Sequence, residues 1–129
     1  ALYVRILRGL GVEIHECASG ADAAEAGSWL AESDAILLAL LGIGAHGTVR
    51  EPIASLITRM NGAGKPIVAA DLPSGLDGDS GRVQGVAVRA TVTVAFGLPK
   101  RGCLIAEGPA HVGELVIDSI TIPHALLVP

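Results

Sequence analysis

"PIVAADLPSGLDGDSG", residues 66–81, decides how this chain is read. It runs from an unbroken apolar stretch into an acidic, glycine-rich loop, with Asp71 at the junction. A continuous apolar run of strand length, without polar alternation, marks a strand buried on both faces of a parallel sheet. Upstream, "DAILLALL" (34–41) has the same character and reads as a central strand. Between the two lies "EPIASLITRMNGAG" (51–64), a helix with Pro52 near its first turn and glycines after its end.

The same rhythm continues on both sides. "VAVRATVTVAFG" (86–97) holds a further strand, and "GELVIDSITIP" (113–123) alternates as a last one. Towards the start, "GADAAEAGSWLAES" (20–33) is Ala-rich and helical, anchored by Trp29 and Leu30. "VEIHEC" (12–17) alternates apolar and polar residues and reads as a strand near an edge. Residues 1–10 place Leu2, Ile6, Leu7 and Leu10 on one helical face, closed by Gly9 and Gly11. Strands alternating with helices predict a doubly wound α/β sheet.

Composition agrees with one such domain over residues 1–129. A chain of this size buries roughly 65–70% of its unfolded surface and needs no staples. Only Tyr3, Trp29 and Phe96 are aromatic, so Ala, Val, Ile and Leu must build the core. Net charge is −4, and the only adjacent basic pair is Lys100-Arg101, which argues against nucleic acid. The longest apolar stretch, "AILLALLGIGA", is too short to span a bilayer. Cys17 and Cys103 form no metal or disulfide pattern, and no signal peptide precedes them, so a cytoplasmic setting is expected. The opening "ALYVRILRGLG" starts a helix in mid-stride without a cap, so an N-terminally truncated domain is expected, with apolar surface left on the first helix and on 12–17.

In sheets of this kind ligands bind beyond the carboxyl ends of the strands. Two polar loops leave such ends, 42–50 and 71–81. "GIGAHG" (42–47) matches G-x-G-x-x-G, and Gly42, Gly44 and Gly47 leave backbone amides accessible to an anion. In the dinucleotide fingerprint, however, the helix opens inside the glycines, whereas here "TVRE" intervenes before Pro52. A phosphate cradle and a plain flexible connection are both open on this pattern, and His46 is either a phosphate contact or a solvated loop side chain. "GAGKP" (62–66) lacks the first glycine and the Ser/Thr of a phosphate loop. A calcium loop on "DGDSG" fails because Arg82 and Val88 occupy the positions that need glycine and a bidentate acid. Asp71, ending an apolar strand, is the candidate base, because partial desolvation makes a carboxylate usable for proton transfer. Asp77 and Asp79 read as turn formers.

The stretch "DLPSGLDGDSGRVQGVAVRATVTVAFGLPKRG" with "VGELVIDSITIP" resembles the second half of the NAD(P)H-hydrate epimerase family, and "LLGIGAHGTVREPIASLI" is similar to the loop and helix before it. The resemblance implies a Rossmann-like three-layer α/β sandwich with a mostly parallel sheet. It also implies cofactor repair, by interconversion of the R and S forms of hydrated NADH and NADPH. On that reading Gly42, Ile43, Gly44, Ala45, His46, Gly47 and Thr48 lie along the cofactor phosphates. Asp71 contacts the hydrated nicotinamide and moves the proton, and Ser74 gives an oxygen to a potassium ion. A homodimer and a dehydratase domain, fused or separate, are further family expectations, the latter following the exit "IPHALLVP" (122–129).

Two departures qualify it. The family's N-N-G-G-D motif is absent, and "LLALLG" puts Leu38 where V-D-A-L-L-G has a potassium-binding acid. Leu cannot hold a hard cation. The sequence therefore supports an epimerase first, and second an inactive nucleotide-binding homologue that has lost its potassium site. A nicotinamide-dependent oxidoreductase, from "GIGAHG" and Asp71, is third.

Overall fold

A computed structural model describes residues 2–123 and 126. Helices α1 (Leu2–Gly9) and α2 (Gly20–Glu32) come first, then β1 (Ile36–Leu38), α3 (Ile53–Gly62), β2 (Ile67–Ala70) and β3 (Val92–Phe96). Two short helices, α4 (Arg101–Leu104) and α5 (Pro109–Val112), lead into β4 (Glu114–Asp118). Among the described residues the sheet runs β1-β2-β3-β4, and every neighbouring pair is parallel. The fold is α/β, as the alternation of elements predicts, and Rossmann-like, as the resemblance implies. Of "IPHALLVP", all but Ile122, Pro123 and Leu126 lies outside the described residues.

Each element follows from local chemistry. Ser19 caps α2 by accepting from the Asp22 amide, while the Asp22 carboxylate accepts from the Ser19 amide, a reciprocal capping box. Those bonds, led by the Ala18 amide, hold the Asp22 carboxyl below its ordinary value. Ile36, Leu38, Ile67 and Ala69 then point to one face of the sheet and bury against Ile57 and Met60 of α3. A smaller cluster of Leu72, Leu76, Cys103 and Val112 packs the 71–81 loop against α4 and α5.

Two expectations fail in instructive ways. "VEIHEC" is not a strand: residues 12–17 form no ladder, because no described strand lies beside them. His15 instead stacks on Trp29 at 3.7 Å between ring centroids, and Arg8 pairs with Glu16 at 3.2 Å. In consequence "DAILLALL" is an edge strand rather than a central one. It ladders only over Ile36–Leu38, and the Leu37 side chain, facing away from α3, is 77% exposed. The segment 86–97 does hold its strand, over Val92–Phe96; ahead of it Val88 N–H donates to Ser74 O and Ala90 N–H to His111 O, outside the sheet. Helix α1 buries none of its residues, so its apolar stripe (Leu2, Ile6, Leu7) is on the surface, as expected.

Candidate active site at the carboxyl ends of β1 and β2

The chain leaves β2 through Asp71, which adopts φ 74°, a left-handed conformation that a non-glycine residue enters at a cost of order 1–3 kcal/mol. Its surroundings hold it there. The Asp71 amide donates to Val94 O at 2.8 Å, and its Oδ1 accepts from Phe96 N–H at 3.1 Å and from the Lys100 ammonium. Lys100 Nζ donates as well to Phe96 O at 3.3 Å. The two side chains are 24% and 19% exposed, a half-enclosed ion pair opening on solvent. The position and partial burial expected of Asp71 are thus observed.

Beyond it, Leu72 to Leu76 are all buried. Ser74 clasps the loop to the exit of β1, its Oγ accepting from Leu41 N–H at 2.9 Å and donating to Leu41 O at 3.2 Å. Gly75 takes φ 90°, and a Cβ there would lie 2.0 Å from Val86 O, so only glycine fits. Asp77 is the turn former the sequence suggests: its Oδ1 accepts from the amides of Asp79 and Ser80 and from the Ser80 hydroxyl. The Ser80 amide foremost, then its hydroxyl, pulls the Asp77 carboxyl below its ordinary value. Asp79 is exposed.

The glycine loop is different in kind. Gly42, Ile43, Gly44, His46, Gly47 and Thr48 are exposed, and only Ala45 is half-buried. The Ala45 amide closes a turn onto Gly42 O, while the amides of Ile43, Gly44, His46, Gly47 and Thr48 have no partner among the described residues. A cluster of unpaired N–H groups on an exposed loop is what an anion needs. Helix α3 opens only at Ile53, so these amides do not form the start of a helix as a dinucleotide fingerprint requires. Gln84 fixes the loop from below, donating to Ala45 O at 3.0 Å and to Asp77 Oδ2 at 3.3 Å.

Two cavities flank this loop. One of about 290 Å³ is lined by Ile43, His46, Asp77, Gly78, Asp79 and Lys100. The other, of about 420 Å³, runs under Leu41, Ala45, His46, Gly47, Thr48 and Gln84 towards Arg50. Lys100 therefore joins the two polar loops: it lines the first cavity and bonds Asp71. Sequence reasoning missed both Lys100 and Gln84. Lys100 lies inside the quoted "FGLPKRG" segment but was readable only as half of a basic pair, and Gln84 carries no local signal.

The potassium ion implied by the resemblance finds a poor fit. Leu38 is 1% exposed within the α3 cluster, so no carboxylate faces the β1 exit at that position. The Ser74 hydroxyl already gives its proton and one lone pair to Leu41. Among the described residues no group of three or more His, Cys, Asp or Glu side chains gathers. One hydroxyl oxygen does not make the oxygen shell a hard cation takes.

A parallel α/β sheet with a locked carboxylate and an open amide loop at its carboxyl end has the arrangement of the Rossmann-like class, in which ligands bind beyond the carboxyl ends of the strands. The family described as "YjeF-related protein N-terminus" matches residues 1–102, and the chain belongs to it. The chain is similar to the bifunctional NAD(P)H-hydrate repair enzyme Nnr of Pyrobaculum aerophilum, 41% identical over 121 residues, covering 94% of this chain and 24% of that protein. With the enzyme of the same name from Coxiella burnetii it shares 44% identity over 96 residues, 74% of this chain and 20% of the relative. The NAD(P)H-hydrate epimerase of Legionella pneumophila subsp. pneumophila is 37% identical over 97 residues, 75% of this chain and 36% of that enzyme. The chain thus spans only a fifth to a little over a third of these relatives' length. No helix among the described residues is long and apolar enough to cross a membrane.

Proposed function

We propose that this chain interconverts the R and S forms of hydrated NADH and NADPH, with Asp71 moving the proton. The observation that carries the reading is the Asp71 carboxylate, held in a left-handed conformation at the end of β2 and tied through Lys100 to a cavity bordered by Ile43 and His46. The similarity to enzymes named NAD(P)H-hydrate epimerase supports the substrate. Residues 42–48 take the cofactor phosphates on their free amides, and the half-enclosed carboxylate faces the nicotinamide hydrate. Hydration leaves a hydroxyl on a ring carbon beside a nitrogen, and inversion there needs a proton moved on or off that oxygen while a bond to the carbon opens and reforms. A single positioned carboxylate can do this. No step is assigned to potassium, and on this reading turnover does not depend on that ion. A cytoplasmic location, a homodimer and a dehydratase partner, fused or separate, belong to the same proposal.

The test is a coupled assay. An S-specific dehydratase in excess consumes the S form of a hydrated NADH mixture and leaves the R form behind. Faster clearance of that remainder when the chain is added, unchanged by potassium, is the expected result. Clearance at the background rate, by a chain shown to be folded, overturns the reading. Leu38 and the doubly bonded Ser74 favour a second reading, a nucleotide-binding homologue without turnover. Saturable binding of hydrated NADH without acceleration distinguishes it.

A further inference from the structure

The Asp71 carboxylate is asymmetric in its bonding. Oδ1 accepts from two donors, the Phe96 amide and the Lys100 ammonium, whereas Oδ2 has no partner among the described residues. Lys100 in turn is anchored: it sits at the N-cap of α4, and Nζ also donates to Phe96 O. Asp71 N–H to Val94 O completes the frame, so the end of β2 is fixed to the end of β3 at two points directly and at a third through Lys100. An ammonium has three hydrogens. Two are used in this frame, and the residue itself lines the cavity beside Ile43 and His46.

We propose that Lys100 is the positioning residue of the site: it saturates Oδ1 and leaves Oδ2 as the single atom through which Asp71 takes up and returns a proton. A carboxylate free to rotate offers two equivalent oxygens at shifting positions. One oxygen pinned by two donors presents the other along a fixed direction. Charge balance fits the role, since the ammonium neutralises the carboxylate within a half-enclosed site and no third charge is needed. This assignment rests on the epimerase reading for its chemistry, though not for the geometry.

Two measurements keep the assignment and that reading apart. In the coupled assay, Lys100→Met is expected to lower turnover about 100-fold, the cost of a misaimed catalytic group, with KM nearly unchanged. Lys100→Arg, which keeps the charge and the donors, recovers part of the loss. Lys100→Met added to Asp71→Asn costs nothing further, because the lysine acts only through that carboxylate. Raised KM at constant kcat would make Lys100 a substrate contact instead, and independent losses in the double variant would make it a separate acid; either overturns the assignment. The second measurement needs no turnover: the 15N-labelled Lys100 ammonium gives a slowly exchanging NMR signal in the wild-type chain that vanishes in Asp71→Asn. If the wild-type chain clears no R form, the epimerase reading fails, and the ammonium signal alone decides whether Lys100 holds Asp71. Absence of that signal overturns the tie.

Discussion

The two loops at the carboxyl end of the sheet are built on opposite plans. Residues 71–76 are buried apart from the half-enclosed Asp71, bonded to three neighbouring segments (Leu41, residues 84–88 and residues 94–100) and shaped by a glycine that nothing can replace. Residues 42–48 lie in solvent, and a Cβ added at Gly42, Gly44 or Gly47 would meet nothing within 4 Å. One loop fixes a single carboxylate; the other leaves the amides of Ile43, Gly44, His46, Gly47 and Thr48 without partners among the described residues. On the proposed function, positioning and reception are divided between these two segments, and substitutions in them should behave accordingly.

The largest difference is expected at the glycines. Gly75→Ala forces a Cβ into Val86 O from an unfavourable φ and should destabilise the chain by about 4–5 kcal/mol, or prevent folding. A denaturant melt within 1 kcal/mol of wild type would mean that the 71–76 segment is not locked. Next comes the core beneath the sheet. Leu38→Asp places a carboxylate among Ile36, Ile57 and Ile67, and a loss of about 3–5 kcal/mol is expected near neutral pH. Raising potassium should not restore the melting temperature, because the Ser74 hydroxyl is already bonded to Leu41; if it does, a single added carboxylate is enough to make a cation site at the β1 exit. Ser74→Ala is milder. It leaves the Leu41 amide and carbonyl without their partner, worth about 1–3 kcal/mol, and should be read by the same melt.

How far the sequence foretold this contrast depends on the range of the interactions involved. The apolar run opening 66–81 and the helical patterns at 20–33 and 51–64 are local signals, and β2, α2 and α3 form within them, while the run 34–41 ladders only over Ile36–Leu38. Asp71 was legible for the same reason, a charge at the end of an apolar run. Lys100 was not, because its meaning comes from the return of the chain after β3 to a carboxylate 29 residues earlier in sequence. Residues 12–17 show the converse failure. Alternation gives a segment the face pattern of a strand, but a strand exists only where a neighbour offers a ladder, and β1 pairs solely with β2 among the described residues. The short helices α4 and α5 also escaped the reading, since four residues each leave no room for a helical period.

Acid should loosen the turn that Asp77 holds. Asp77 is held below its ordinary carboxyl range by the Ser80 amide and hydroxyl, so its folded pKa lies under its unfolded one. The stabilisation it gives is therefore complete above the unfolded value near 4, and it fades as the pH falls through the folded value. Asp77→Asn removes that titration. Its melting temperature should fall less between pH 5 and pH 3 than that of the wild-type chain. Equal acid losses in the two would show that the Asp77 turn opens without consequence for the fold.

The smallest expected change in stability carries the most information about the open loop. Gly44 has neither a positive φ nor any neighbour within reach of a new Cβ, so Gly44→Ala should alter stability by less than about 0.5 kcal/mol. A methyl group there nevertheless crowds the approach to the amides of Ile43, Gly44 and His46, which lack partners among the described residues. If those amides receive phosphate, calorimetry with hydrated NADH should show weaker binding by Gly44→Ala at an unchanged melting temperature. Lys100→Met should show the reverse separation, binding kept and turnover lost. Weakened binding by both variants, or by neither, would erase the division between the receiving loop and the positioning loop, because the division consists in those two effects being separable.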